Sequence, residues 1–188
     1  MVYKIYPFCK AAEQESKRKV NQGEESVLIV DEQNHVVAQV SRRLMREGRL
    51  SHRASYILVF NRNREIFVQK RTMSKDIYPG YLDVAAGGVV MAGESYEESA
   101  RRELAEELGI ARASLKCHGD FYHETGSNRV WGRVFACTKE GPFVLQPEEV
   151  AAGFFIGLDE IRVLSKQENF TPDGLIALQM VLDHARIF

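Results

Sequence analysis

Glu103, Glu106 and Glu107 are spaced i, i+3, i+4, so on a helix turning about 100° per residue they share one arc of the surface. Such a cluster works against the helix that carries it. Like charges at these spacings each cost about 0.2–0.5 kcal/mol, and carboxylates in the last turns oppose the helix dipole. A sequence tuned for stability alone would place Lys or Arg there. A divalent cation removes both objections, and an all-oxygen carboxylate set suits Mg²⁺ or Mn²⁺. By residue type alone, the competing reading is a solvated acidic face.

The elements that must position this cluster are legible around it. Ser95 followed by Glu98 has the spacing of a capping box, which starts the helix at about Tyr96. Gly109 supplies the left-handed stop. Tyr96, Ala100, Leu104 and Leu108 make the adjoining apolar stripe that packs inward. Upstream, SVLIV and VVAQV read as a hairpin, followed by a short helix through RRLMREG capped by Ser41. ASYILVF and EIFVQKR read as a second hairpin, and a loop with a Pro79-Gly80 turn leads to a strand entering Gly87-Gly88. Downstream, SLKCHGDFYHET and RVWGRVFACTK alternate as strands, GPFVLQ reads as a shorter strand or edge segment, and GFFIGL as a buried strand. LDEIRVLS is a short helix, and Thr171-Pro172-Asp173 opens a last one. A mixed sheet flanked by helices, an α/β/α sandwich, accommodates this order, although the pattern by itself also fits other α+β layouts.

Composition bounds the function. A chain of 188 residues with 45% hydrophobic and 27% charged residues is the size and make-up of one globular domain. Residues 1–25 read as an extension, with YKIYPF as a short strand, and residues 26–188 as the domain proper. A net charge of −1 gives no electrostatic case for nucleic-acid or membrane partners. Cys9, Cys117 and Cys137 are scattered without metal-site spacing, which points to reduced thiols in a cytoplasmic protein. MVYKIYPFCKAAEQ lacks the continuous apolar core of a signal peptide.

Gly88, five residues, Glu94, seven residues, then Arg102-Glu103-Leu104-x-Glu106-Glu107-x-Gly109-Ile110 resembles the Nudix box, GX5EX7REUXEEXGU, at every defined position. The resemblance implies a Nudix-type α/β/α sandwich with a mixed sheet. It also implies Mg²⁺-dependent, or Mn²⁺-dependent, hydrolysis of a diphosphate bond in a nucleoside diphosphate or a nucleoside diphosphate linked to another group. Glu103 and Glu107 become the leading metal ligands with Glu106 completing the set, and a backbone carbonyl near Gly88 adds another. Arg102 pairs with Glu94 to hold the loop against the helix. The general base is either a box glutamate or a carboxylate on a later loop, for which Glu149 is the candidate and Glu148 the alternative. The partner is a small nucleotide-type diphosphate, with a homodimer left open.

The flanks are similar to type 1 isopentenyl-diphosphate isomerases, whose Arg-x-x-x-Lys pair on the substrate diphosphate falls here on Arg71 and Lys75. Ordinary surface cations are the competing reading of both. The isomerase chemistry itself lacks its residues: DVAAG stands at residues 83–87 where a cysteine is needed, and Gly and Val stand where a histidine is needed. Of the isomerase metal-site histidines only His52 has a counterpart, and a lone histidine at a strand start reads more simply as a structural hydrogen bonder. RVWG at residues 129–132, GPF at 141–143 and the acidic pair before Val150 resemble a bacterial subgroup of Nudix hydrolases. A diphosphate isomerase and a catalytically silent nucleotide sensor are the alternative functions. Tyr122 and Trp131 could stack a base, but core packing is the expected use of both.

Overall fold

A computed structural model of the chain describes residues 24–185. The expected strand at residues 3–8 and Cys9 lie outside the described residues. The strands are β1 (Ser26–Val30), β2 (Val36–Ser41), β3 (His52–Phe60), β4 (Ile66–Arg71), β5 (Leu82–Asp83), β6 (Ala86–Val89), β7 (Lys116–Glu124), β8 (Arg129–Thr138) and β9 (Val150–Ile156). The helices are α1 (Arg42–Glu47), α2 (Tyr96–Leu108), α3 (Leu158–Leu164) and α4 (Pro172–Ala185).

All the strands join one mixed sheet centred on β3, which pairs in parallel with β8 and antiparallel with β1, β4 and β6. The central strands are apolar at successive positions because both faces are covered. Their alternation sorts the core into two layers. Ala54, Tyr56 and Leu58 of β3 with Ile66 and Val68 of β4 pack against Ile161 of α3 and Ala177, Leu178 and Val181 of α4. Ile57 and Val59 of β3 with Phe67 of β4 pack against Tyr96, Ala100, Leu104 and Leu108 of α2. The α/β/α sandwich is therefore the observed architecture, with the acidic helix covering one face alone.

Two expectations need correction. Residues 141–146 alternate as a strand would, burying Phe143 and Leu145, yet they pair with no strand. Their backbone instead closes the end of α2: Val144 N–H donates to the Leu108 carbonyl at 3.1 Å and Gln146 N–H to the Glu107 carbonyl at 3.0 Å. Carbonyls left open by the helix terminus outcompeted a sheet edge for those donors. Tyr122 and Trp131 are also not core residues. Tyr122 is 39% exposed, its ring 5.5 Å from that of Trp131, whose indole N–H donates to the Asp31 carbonyl at 3.2 Å. Each packs on the other at the surface because neighbouring positions on β7 and β8 face each other there.

Candidate active site

The site grows from α2. Both halves of the capping box form: Glu98 N–H donates to Ser95 Oγ at 3.2 Å and Ser95 N–H to Glu98 Oε2 at 2.8 Å. Gly109 closes the helix with φ of 68°. Because the apolar stripe is fixed against the sheet, the glutamates one step around the helix meet the β5–β6 loop. Glu107 is 2% exposed and accepts from Gly87 N–H at 3.1 Å and from Gln69 Nε2 at 3.2 Å. Glu103 faces Gly88 so closely that a Cβ at Gly88 would overlap its carboxylate. Gly87 has φ of 151° and passes against the Ser55 carbonyl, so the two glycines let the strand reach both acids. Glu106 lies further out, with its side chain 37% exposed.

Arg102 binds this array from outside. Its guanidinium holds Glu94 with two bonds, Nε to Oε1 at 2.8 Å and Nη2 to Oε2 at 3.1 Å, and Nη1 donates to Glu103 at 2.7 Å. Glu94 in turn accepts from Met91 N–H at 3.1 Å, so the Arg102–Glu94 pair staples the loop to the helix. Burial raises the Glu103 carboxyl to about 7, helped by the Glu107 charge and opposed by Arg102. Burial raises Glu107 as well, with Lys75 pulling it back.

Lys75 reaches across this array. Its ammonium pairs with Glu149 and lies 3.8 Å from Glu107 Oε1. Burial would raise the Glu149 carboxyl, but Lys75 outweighs it and holds the group below the ordinary glutamate value. Glu148 turns its backbone carbonyl inward, accepting from Thr72 Oγ1 at 2.8 Å. Arg71 is not a solvated cation either. With its side chain 13% exposed, it donates to the Ile77 carbonyl at 2.8 Å and the Tyr78 carbonyl at 3.3 Å, and pairs with Asp83 at 3.4 Å. Its fork is engaged in holding the β4–β5 loop. His52 is buried, its Nδ1 3.0 Å from the Leu50 carbonyl oxygen, and burial pushes its pKa down to about 3.

Two adjoining clefts meet over these residues. One contains Glu103, Glu106 and Arg102, and the other, about 130 Å³ in volume, contains Arg46, Arg71, Asp83 and Asp173. Arg42, Lys75, Gly87, Gly88 and Glu149 border both. The site residues drawn from the sequence line this pair of clefts except Glu94, which is held behind Arg102, and Glu107, which sits beneath the Gly87 loop. Sequence reasoning missed Gln69, whose signal was a lone polar residue inside the apolar run IFVQ. It also missed Asp83, Asp173 and Tyr56, whose hydroxyl donates to Asp173 Oδ2 at 2.8 Å. They belong to separate elements, and no spacing links them.

The donor set fits a hard divalent cation. Burial raises both carboxyls, with the Glu107 charge adding to the rise at Glu103 and the Glu149 charge to that at Glu107, and a positive ion would relieve both. Gln69 Oε1 is buried without a donor, leaving one more oxygen beside Glu107. Among the described residues no three His, Cys, Asp or Glu side chains form a ready-made cage. Two carboxylates plus backbone oxygen and water is the mode Mg²⁺ tolerates best.

Comparison with known proteins agrees with this geometry. A NUDIX domain model matches residues 50–178. A Nudix hydrolase of Yersinia pestis is 53% identical over 158 residues, covering 84% of this chain and 86% of that protein. The structure of DR0079 from Deinococcus radiodurans superposes with a TM-score of 0.70 at 25% identity, covering 83% of this chain and 97% of that one. The NUDIX domain of Shewanella oneidensis NrtR, solved with ADP ribose, shares the fold at 13% identity with a TM-score of 0.59, covering 71% of this chain and 87% of that one. No helix among the described residues is long and apolar enough to cross a membrane. Nudix hydrolases generally use divalent metal ions to split pyrophosphate bonds, and this chain, a hydrolase of acid anhydrides, belongs to the Nudix family.

Proposed function

We propose that the chain hydrolyses the diphosphate bond of a nucleoside diphosphate, or of a nucleoside diphosphate linked to another group, with Mg²⁺ or Mn²⁺. The observation that carries this reading is the buried Glu103–Glu107 pair pressed against Gly87 and Gly88. Its repulsion is useful only if a cation joins it. A bound divalent cation supplies neutralisation of the bridging oxygens and a lowered pKa for its water. Glu103 and Glu107 hold that ion, Glu106 reaches it from the exposed side, and the Gly88 carbonyl adds a backbone oxygen. The Arg102–Glu94 staple fixes the loop that carries Gly88.

In the reaction a water oxygen bonds to phosphorus, the bond from phosphorus to the bridging oxygen breaks, and the water proton leaves. Glu149, kept ionised by Lys75, receives that proton, with Glu148 as the alternative carboxylate. Lys75 places positive charge beside the diphosphate. Arg71 borders the same cleft and grips the diphosphate as well, besides bracing the loop through Ile77 and Tyr78. The fold admits such a ligand in the NrtR domain, which holds ADP ribose. Residues 26–188 act as the catalytic unit, in the cytoplasm.

The test is phosphate release from a panel of nucleotides, sugar nucleotides and dinucleotides, each with Mg²⁺, with Mn²⁺ and with chelator. Metal-dependent release from at least one nucleoside-diphosphate compound is the expected result. Release from none, or release indifferent to chelator, would overturn the proposal.

A further inference from the structure

One wall of the cleft that contains Arg71 and Asp83 is built by α1, a short helix anchored by buried Met45 and capped by Ser41, whose Oγ accepts from Leu44 N–H at 3.3 Å. Its arginines divide into two kinds. Arg43 pairs with Glu47 at 3.1 Å on the exposed side, an ordinary i,i+4 ion pair. Arg42 and Arg46, also i,i+4, both border the cleft and repel one another.

Arg46 is the incomplete one. Its Nη1 donates to Asn128 Oδ1 at 3.3 Å, and its Nε is buried without an acceptor. Among the described residues no carboxylate forms an ion pair with it. Of the cleft's other acids, Asp83 is held by Arg71 at 3.4 Å and Asp173 by the Tyr56 hydroxyl at 2.8 Å, while Asp76 acts on Arg46 through space without forming an ion pair. Burial first, then Arg42, lowers the Arg46 pKa to about 10, so the side chain stays charged near neutral pH. Holding a largely buried guanidinium with no ion-pair partner is costly, and Asn128, itself buried, fixes the direction of the fork without neutralising it. A planar fork with spare donors is matched to phosphate oxygens.

We infer that Arg46, oriented by Asn128 and flanked by Arg42, binds a further phosphate group of the substrate, one beyond the diphosphate bond that is cleaved. This rests on the hydrolase reading for its position in the reaction. Because Arg42, Lys75 and Gly88 border both clefts, a substrate whose diphosphate lies at Glu103 and Glu149 extends naturally toward Arg46. The preferred substrates then carry at least three phosphates, either in one chain or as a separate phosphate monoester.

Binding of inorganic phosphate in chelator, measured by calorimetry, tests the subsite without requiring hydrolysis. Arg46→Gln should raise the Kd at least 10-fold. Asn128→Asp, which keeps the shape but gives the guanidinium a counterion, should do the same. Both variants should match or exceed the wild-type Tm, since each removes an unneutralised buried charge. Glu107→Gln should bind phosphate no more weakly than wild type. An unchanged Kd in Arg46→Gln, no phosphate binding by wild type, or a lowered Tm in both variants would overturn the subsite. Kinetics on matched pairs then identify the phosphate: ATP against ADP for a chain, NADPH against NADH and coenzyme A against its 3′-dephospho form for a monoester. Wild type should favour the phosphate-richer member of one pair at least 10-fold in kcat/KM, and Arg46→Gln should collapse that ratio. A ratio the variant leaves unchanged in every pair overturns the assignment to substrate. If wild type hydrolyses no member of any pair yet releases phosphate from other nucleoside-diphosphate compounds, the preference for a third phosphate is overturned while the hydrolase reading stands, and the binding arm still decides whether Arg46 holds phosphate.

Discussion

The carboxylate wall and the cationic wall of the active cleft are assembled by different means. Glu103, Glu106 and Glu107 come from consecutive turns of one helix, and the strands are shaped to meet them: Gly87 N–H and Gln69 bond to Glu107, and Gly88 makes room for Glu103. Arg46, Arg71 and Lys75 come from α1, the end of β4 and the loop after it. Each already has work inside the protein, Arg46 with Asn128, Arg71 with two loop carbonyls and Asp83, and Lys75 with Glu149 and Glu107. The acidic wall is therefore shaped as a unit around one helix, whereas the basic wall doubles as scaffolding. Damage to the first should appear as lost turnover in a stable protein. Damage to the second at Arg71, the cation most heavily bonded inside the protein, should mix lost turnover with lost structure.

The sharpest form of that contrast is Glu107→Gln. It removes one charge and one oxygen ligand while keeping the shape and the Gln69 and Gly87 contacts. Turnover in Mg²⁺ should fall by about 10²–10⁴, while Tm holds or rises because a buried repulsive pair has been relieved. Near-normal turnover would mean that this helix face is not where the metal acts. On the opposite wall, Arg71→Lys should cut kcat/KM about 10-fold, equivalent to roughly 1.4 kcal/mol in the barrier. It should also lower Tm, because one ammonium cannot serve the Ile77 carbonyl, the Tyr78 carbonyl and Asp83 together. A kinetic loss at unchanged Tm would show that the guanidinium acts on substrate alone.

The same contrast explains what could be read before any coordinates. The α2 cluster, its capping box and its Gly109 stop were legible because helix geometry converts sequence spacing directly into a surface. The strands were legible from the ILVF and IFV runs bounded by turns, but their arrangement as an α/β/α sandwich came from the family resemblance, since the same order of elements fits other α+β layouts. Arg71 and Lys75 were found only through family resemblance, and the loop-bracing half of Arg71's bonding was not foreseeable, because backbone carbonyls carry no sequence signature. Residues 141–146 show the limit from another side. Their alternation predicted burial correctly and pairing incorrectly, since periodicity reports which side chains face the core and says nothing about where the N–H groups go. Arg46 and Asn128 are 82 residues apart in sequence, and nothing in either neighbourhood points to the other.

A smaller effect is expected at Lys75, which reaches from the basic wall to within 3.8 Å of Glu107 on the acidic one. Lys75→Ala should raise KM severalfold with a lesser change in kcat, and the defect should shrink as salt is added, since the contact is electrostatic and at the edge of solvent. Removing the ammonium also releases Glu149 from its partner. A kcat defect larger than the KM defect would instead show that Lys75 sets the protonation of Glu149 during turnover. Steady-state kinetics at low and high salt on one substrate separates the two outcomes.

The smallest effect lies at the internal partner of Arg71, and it is read in stability rather than rate. Burial raises the Asp83 carboxyl to about 7; Arg71 opposes that rise, while the neighbouring Asp173, bonded to Tyr56, adds to it. Its pKa when folded therefore lies above the ordinary aspartate value of about 3.9 that it regains on unfolding. Between those two values the unfolded chain releases the proton while the folded chain keeps it. The contribution of this carboxyl is thus fully present below about pH 4, is lost as pH rises toward about 7, and is level beyond. Asp83→Asn keeps the shape and cannot ionise. The variant should gain Tm relative to wild type steadily from about pH 4 to 7, with no further gain at higher pH. Thermal melts of both proteins across that range check it. A difference that does not change with pH would mean that Arg71 neutralises Asp83 completely.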